Sequence, residues 1–288
     1  MYDGVPFADY LSWDAVDKSL LWGFRGPAAK GHDLMVSGGK AATPAMDEGT
    51  ALHCLLFNHD GFDAIFATMP DFPGHHNSNA YKALKAEWLS RNMDKVTLAT
   101  DQMEDVMSMY AALQDRPGSI AHRLLFSGDD PHNEVSVVAV DPETGTTMKG
   151  RFDRTAIIEL PGATERRVIV DLKTTVDASE FGFPGEIGKY GYNWQHALYV
   201  DLLSWLDPDS RPAQFVFVAV EKPDRKNGVR PLVACHEADA EAVCNGRASY
   251  KEALAKLLHG RATGEWPGYP DKLFIASLPT WMLRRSES

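Results

Sequence analysis

One stretch near the middle of the chain constrains its fold more than any other. Residues 134–140 (EVSVVAV), 146–158 (TTMKGRFDRTAII) and 167–173 (RVIVDLK) are rich in β-branched and apolar residues, and short turns, DPETG and PGATE, separate them. Strands joined this closely have no room for a crossover and must pair antiparallel with their neighbours. The spacing therefore predicts a three-stranded meander. Downstream, residues 185–206 read as a helix. Residues 213–220 (AQFVFVAV) and 229–235 (VRPLVAC) read as strands around a PDRKNG turn, and 238–259 as a last helix. The order β-β-β-α-β predicts one mixed central sheet flanked by helices, an α/β (α+β) architecture.

Residues 1–126 read as mainly helical. Ser12 is placed to cap WDAVDKSLLW, and Thr43-Pro44 to start a helix running through EGTALHCLLF. Residues 79–89 and 100–113 have amphipathic spacing, the second behind a Thr cap. No repeat divides the chain. Residues 1–288 are expected to form one domain, a mainly helical N-terminal region (residues 1–126) followed by a sheet-bearing core and C-terminal helix over 127–288.

Composition narrows the function. With 29 Lys+Arg against 40 Asp+Glu the net charge is −11, which excludes a generally basic nucleic-acid coat protein but not a basic groove. Three cysteines without a C-x-x-C pair argue against a disulfide framework and against a four-cysteine zinc or iron–sulfur site. No apolar run is long enough to span a bilayer, and MYDGVPFADY lacks the basic start and apolar core of a signal peptide. A soluble, cytoplasmic protein is expected.

The chemistry-bearing residues lie in the meander. Asp171 and Lys173 are two apart on a strand and share a face. Asp153, on the preceding strand, should pair beside them. Two carboxylates brought together are costly unless a cation joins them, and oxygen donors without cysteine suit Mg²⁺ or Mn²⁺. Asp-x-Lys alone arises about once by chance in a chain of this composition. Asp224-Arg225-Lys226 supplies such a decoy in a turn. Gln195 and Tyr199 are four apart and share a helix face, and His53 lies on an apolar helix that also holds Gly49, a hint of close backbone packing.

Taken in order, G-T-A-L-H (49–53), G-R-F-D (150–153), V-D-L-K-T-T (170–175) and Q-H-A-L-Y (195–199) resemble the PD-(D/E)xK nuclease superfamily. The likeness is to the branch of RecE (exonuclease VIII) and related phage exonucleases, akin to the RecB nuclease domain. W266-P-G-Y269 and the opening S-W-D-A-V-D-K-S-L-L-W are similar to that branch too. The resemblance implies a PD-(D/E)xK core with Asp153 and Asp171 as metal-binding carboxylates, His53 as a further ligand and the Leu172 carbonyl as an extra one. Lys173 would be the catalytic lysine. Gln195 would orient the site, with Tyr199 packing beside it. Glu134 could sit just outside the ligands, or be a solvent-facing strand acid. The Pro-Asp of the superfamily's name is absent, because Gly150-Arg151-Phe152 precede Asp153.

The same resemblance implies a Mg²⁺- or Mn²⁺-dependent exonuclease. It would act on linear duplex DNA ends, 5′ to 3′, in phage-type recombination in a bacterial host. A single-strand annealing recombinase (RecT-like) would be its partner. Alternatives are a structure-specific or restriction-like endonuclease with the same site, or a non-catalytic DNA-binding protein on a decayed nuclease fold. A net charge of −11 requires basic residues to gather on the active-site side. Lys149, Arg151 and Arg154, with Arg25, Lys30 and Lys189, flank the motifs and are the expected DNA contacts. A ring-shaped homo-oligomer, trimer or tetramer, would give a basic lumen and an acidic exterior.

Overall fold

The computed structural model describes residues 1–38, 44–160, 162 and 164–278. The chain opens with helices α1 (Phe7–Ser12), α2 (Lys18–Gly23), α3 (Ala28–Ser37), α4 (Pro44–Phe57) and α5 (Phe62–Ile65). Strand β1 (Phe66–Met69), α6 (Asn79–Arg91), β2 (Val96–Ala99), α7 (Thr100–Gln114) and α8 (Ile120–Phe126) follow. The sheet strands are β3 (Asp129–Val140), β4 (Thr147–Ile158) and β5 (Arg166–Thr175), then β6 (Gln214–Glu221) and β7 (Val233–His236). Helices α9 (Phe183–Tyr190) and α10 (Tyr192–Leu206) lie between β5 and β6, and α11 (Ala240–Thr263) follows β7. Among the described residues no helix is long and apolar enough to cross a membrane.

The five-stranded sheet runs β3-β4-β5-β6-β7. The meander is present: β3–β4 and β4–β5 are antiparallel. The helical connection turns β6 parallel to β5, and β7 returns antiparallel. Each face of the sheet carries a core. Phe152, Ile169, Phe215 and Phe217 pack with residues of α2, α10 and α11. Ala156, Val168, Val170, Val216 and Val218 pack with residues of α4, α7 and α8 on the other face. Burial on both faces explains why VFVAV in β6 is a continuous apolar run rather than an alternating one.

Several local expectations fail for physical reasons. Ser12 caps nothing: it ends α1, and its hydroxyl donates to the Asp9 carbonyl. Asp17 caps α2 instead, accepting from the Leu20 N–H at 2.8 Å. Thr100 is the first residue of α7, and its hydroxyl donates to Met69 O. Thr43 and some of the PGATE turn lie outside the described residues. The helical region also holds β1 and β2, a short parallel pair that a four-residue pattern cannot announce. The helix expected over 185–206 is two helices. Gly191 separates them in the left-handed conformation, φ 66°, and a Cβ there would lie 2.2 Å from the Trp22 ring.

Candidate active site

The site grows from a break in β4. Met148 and Phe152 join the core on the α10 side, and a Cβ on Gly150 would meet Tyr199 and Leu202 there at 2.9 Å. Ala156 and Ile158 join the opposite core, and Arg154 reaches Leu124 of α8. Residues of equal parity on a regular strand share a face, so the alternation breaks between Phe152 and Arg154. Asp153 stands at that break. Glu134, nearly opposite on β3, takes φ 50°, a strained conformation for a side chain of its size.

At the same point β4 parts from β5, whose pairing with it reaches Arg154–Val170 and goes no further. The Asp153 carboxylate bridges the split, Oδ2 accepting from the Leu172 N–H at 2.7 Å. The vacated edge of β4 is covered by the N-terminal segment, where Val16 bonds to Thr147 O and Lys149 N.

His53 arrives from α4, whose Ala51, Leu52 and Leu55 are buried in the sheet's second core and fix the helix rotation. Gly49 faces β5, where a Cβ would meet Thr174 Oγ1 at 3.4 Å, a tight approach rather than a forbidden one. His53 Nε2 lies 3.1 Å from the Leu172 carbonyl. A carbonyl only accepts, so Nε2 carries a proton toward it, and Nδ1 is the nitrogen left to face the carboxylates. Nδ1 faces Asp153 Oδ2 at 3.5 Å and Glu134 Oε1 at 4.0 Å. Leu172 thus orients His53, the outer hydrogen bond that metal-binding histidines usually make.

His53, Glu134 and Asp153 form a trio whose donor atoms all lie within 4.8 Å of one another. Asp171 stands beside it, committed to other partners: Oδ1 accepts from Gln195 Nε2 at 2.5 Å, and Oδ2 lies 2.5 Å from Lys173 Nζ. Side-chain exposure rises from 2% at Asp171 through 15% at Asp153 to 29% at Glu134, so the trio opens to solvent while Asp171 is sealed.

Charge follows from this arrangement. Burial pushes the Asp153 carboxyl up to about 7; His53 opposes the shift and the Asp171 charge adds to it. Burial works against the Lys173 ammonium, but Asp171 and then Asp153 outweigh it and hold its pKa above the usual value. Tyr199 is buried against Phe152, ring centroids 4.7 Å apart, with its hydroxyl pushed up by burial. Its role here is packing.

The structure brings His53, Asp153, Asp171, Leu172, Lys173 and Gln195 together, and it places Glu134 within the trio rather than outside it. Nothing in the sequence announces the Glu134 backbone conformation. Three expected DNA contacts are corrected. Lys149 is buried, its ammonium donating to the carbonyls of Tyr10, Leu11 and Trp13 at 2.9, 3.2 and 2.9 Å. Arg154 is buried too, donating to Leu124 O, Asn133 Oδ1 and Ser127 O. Arg151 holds Glu134, Nε to Oε2 at 2.8 Å, and reaches Val5 O. These guanidinium and ammonium groups satisfy the protein's own acceptors and are not free for phosphate. Arg25, Lys30 and Lys189 remain exposed. The decoy at Asp224 is a surface turn in which Arg225 pairs with Glu104 and Asp105 of α7.

Comparison with known proteins bears on the family and the fold. The model of a family described as "PDDEXK-like domain of unknown function (DUF3799)" matches residues 26–275. A crystal structure from Eubacterium rectale, described as a "putative exonuclease", superposes with a TM-score of 0.59. It covers 98% of this chain and 98% of that chain at 12% identity, a likeness of fold alone. The structure of SSO0001 shares 12% identity over 61% of this chain and 66% of that one. Its TM-score of 0.28 is too low to bear on the fold. No curated protein sequence matches this chain. The chain belongs to the PDDEXK-like family DUF3799, within the PD-(D/E)xK nuclease superfamily.

Proposed function

We propose that this protein is a Mg²⁺- or Mn²⁺-dependent DNA exonuclease that hydrolyses linear duplex DNA from its ends. The observation that carries the reading is the convergence of the His53–Glu134–Asp153 trio with the Asp171–Lys173 pair at the split between β4 and β5. The donor set fits a divalent cation: one imidazole nitrogen and two carboxylates converge, no thiol takes part, and the oxygens favour a hard ion. The cation, when bound, supplies Lewis-acid polarisation of the phosphoryl group and of the attacking water.

The chain's own residues do the rest. The Leu172 N–H fixes Asp153, and the Leu172 carbonyl orients His53. Arg151 fixes Glu134. Gln195 locks the rotamer of Asp171, which holds Lys173 charged. The Lys173 ammonium, over the Tyr192 ring at 4.7 Å, is then placed to stabilise negative charge developing on the phosphate and to orient the attacking water. The 5′-to-3′ polarity, the phage-type recombination setting and an annealing recombinase as partner rest on the motif resemblance alone.

The test is end-labelled linear duplex incubated with Mg²⁺ beside a covalently closed circle. Linear DNA should shorten from its ends, the circle should survive, and excess EDTA should stop the reaction. A cut circle would replace the exonuclease with an endonuclease. Full activity in EDTA, or in Lys173→Ala, would remove the site.

A further inference from the structure

The split that creates the site also admits a cation that lies outside the four catalytic motifs. Val16 covers the freed edge of β4, and two residues later Lys18 opens α2 beside the Asp171–Lys173 pair. Its Nζ donates to the Tyr190 carbonyl at 2.6 Å and lies 5.0 Å from the Trp22 ring centroid and 5.9 Å from that of Tyr192. Lys173 lies 4.7 Å from the same Tyr192 centroid. Two ammonium groups therefore share one ring, but they are not partnered alike. Lys173 has Asp171. Lys18 has one carbonyl and, among the described residues, forms no ion pair.

A half-buried ammonium beside a second one, with a single neutral acceptor, is costly without an anion. Burial pulls the Lys18 pKa down to about 8, and the Lys173 charge adds to that effect, while the Asp171 and Asp17 charges oppose it without pairing with Lys18. The lining around Lys18 continues the theme. Arg25, exposed, lies 4.8 Å from the Trp22 centroid. Tyr190 is 43% exposed at the other end of the cluster. Cations interleaved with aromatic faces suit a nucleic-acid strand, whose phosphates take the charges and whose bases take the rings. Lys189 contributes less, because Glu186 engages it at 3.2 Å.

We propose that Lys18 is a substrate-binding residue that takes a backbone phosphate next to the scissile one and so sets the register of the strand against Lys173 and the trio. The inference rests on the nuclease reading and adds a phosphate subsite to it. It also accounts for the N-terminal segment filling the split: Val16 secures the position from which Lys18 reaches the strand.

Lys18→Met keeps the apolar stem between Trp22 and Tyr192 and removes the charge, while Lys18→Arg keeps the charge. Circular dichroism and melting establish that both are folded. Binding of fluorescent DNA is measured by anisotropy with Ca²⁺ across a salt series. Lys18→Met should bind about tenfold more weakly, the worth of one charge-assisted contact. Its log–log salt slope should be shallower by about 0.7–0.9, one phosphate's share. Lys18→Arg should recover most of both. With Mg²⁺ the KM of Lys18→Met should rise more than its kcat falls. A neutral methylphosphonate stepped along the strand should weaken wild-type binding at one position and leave Lys18→Met unaffected there. Unchanged affinity and slope in Lys18→Met, with wild type still cutting DNA, would overturn the subsite and leave the nuclease standing. A wild type that neither binds nor cuts DNA would remove both.

Discussion

Asp153 links metal binding to protons. Its folded pKa of about 7 exceeds the ordinary carboxylate value of about 3.9, so folding favours its protonated form. The sign follows: the metal-free protein should lose stability as pH rises from about 4 to about 7 and change little from this group above that. A metal needs the carboxylate, so its binding should release a proton near neutrality and tighten as pH rises to about 7. Calorimetric titration with Mn²⁺ in two buffers of different ionisation enthalpy measures the release. Asp153→Asn should abolish it and raise the melting temperature of the metal-free protein at pH 8; a wild-type melting temperature that ignores pH would refute the linkage. At Lys173, removing the charge leaves Asp171 buried with Gln195 alone. Lys173→Met should lose activity and about 2–3 kcal/mol of stability, the low side of a broken buried pair, because Lys173 keeps 18% exposure. Adding Asp171→Asn should restore stability in denaturant titrations but not activity. If the double substitution stays as unstable as the single one, the pair is not what holds Lys173.

Elements, not single residues, aim these groups. The break in β4 lets one strand serve both faces of the sheet, with Phe152 on one side and Ala156 on the other. Asp153 at the crossing point turns toward β5 instead of into either core. Helix α10 carries Gln195, and its start is set by Gly191. A methyl group there would collide with Trp22 and would need a left-handed backbone that Ala resists. Gly191→Ala should therefore cost upward of about 2 kcal/mol. It should also lower kcat, because Gln195 would move off Asp171. Wild-type kcat and midpoint in guanidinium would mean that the two helices tolerate fusion. Lys149 works at this scale as well: it ties the end of α1 to β4 through three carbonyls, a structural use of a charge.

At the scale of the whole molecule, a charge of −11 must be reconciled with DNA. With Lys149, Arg151 and Arg154 turned inward, Arg25, Lys30 and Lys189 stay exposed and Lys18 half-buried among the cations considered for DNA. A ring-shaped assembly, the expectation drawn from the sequence, would let several copies enclose the duplex and pool their cations. Light scattering should then report a trimer or tetramer. DNA degradation should continue after a competitor trap is added, and binding should weaken steeply with salt. A monomer at micromolar concentration that the trap halts at once would end the ring proposal and leave the nuclease site untouched.

The meander and the mixed character of the sheet were legible in the chain from local chemistry, and Asp153, Asp171 and Lys173 stood out by their strand spacing, whereas His53 and Gln195 entered as site candidates through the motif resemblance. Short turns enforce antiparallel pairing, and Asp171 and Lys173 share a face by the two-residue period. Four things needed the tertiary structure. Gly191 divides a helix only because Trp22 packs against it. The β4 alternation fails only because two cores compete for one strand. Glu134 joins His53 and Asp153 only through a left-handed backbone that its sequence neighbours do not demand. The fates of Lys149 and Arg154 were decided by which carbonyls α1 and α8 left unpaired near them. Sequence spacing says which residues lie close along the chain and on which face. Whether a charge meets solvent, a carbonyl or a partner depends on residues that are distant along the chain, as Tyr10 is from Lys149 and Leu124 from Arg154, and only the packed fold brings those together.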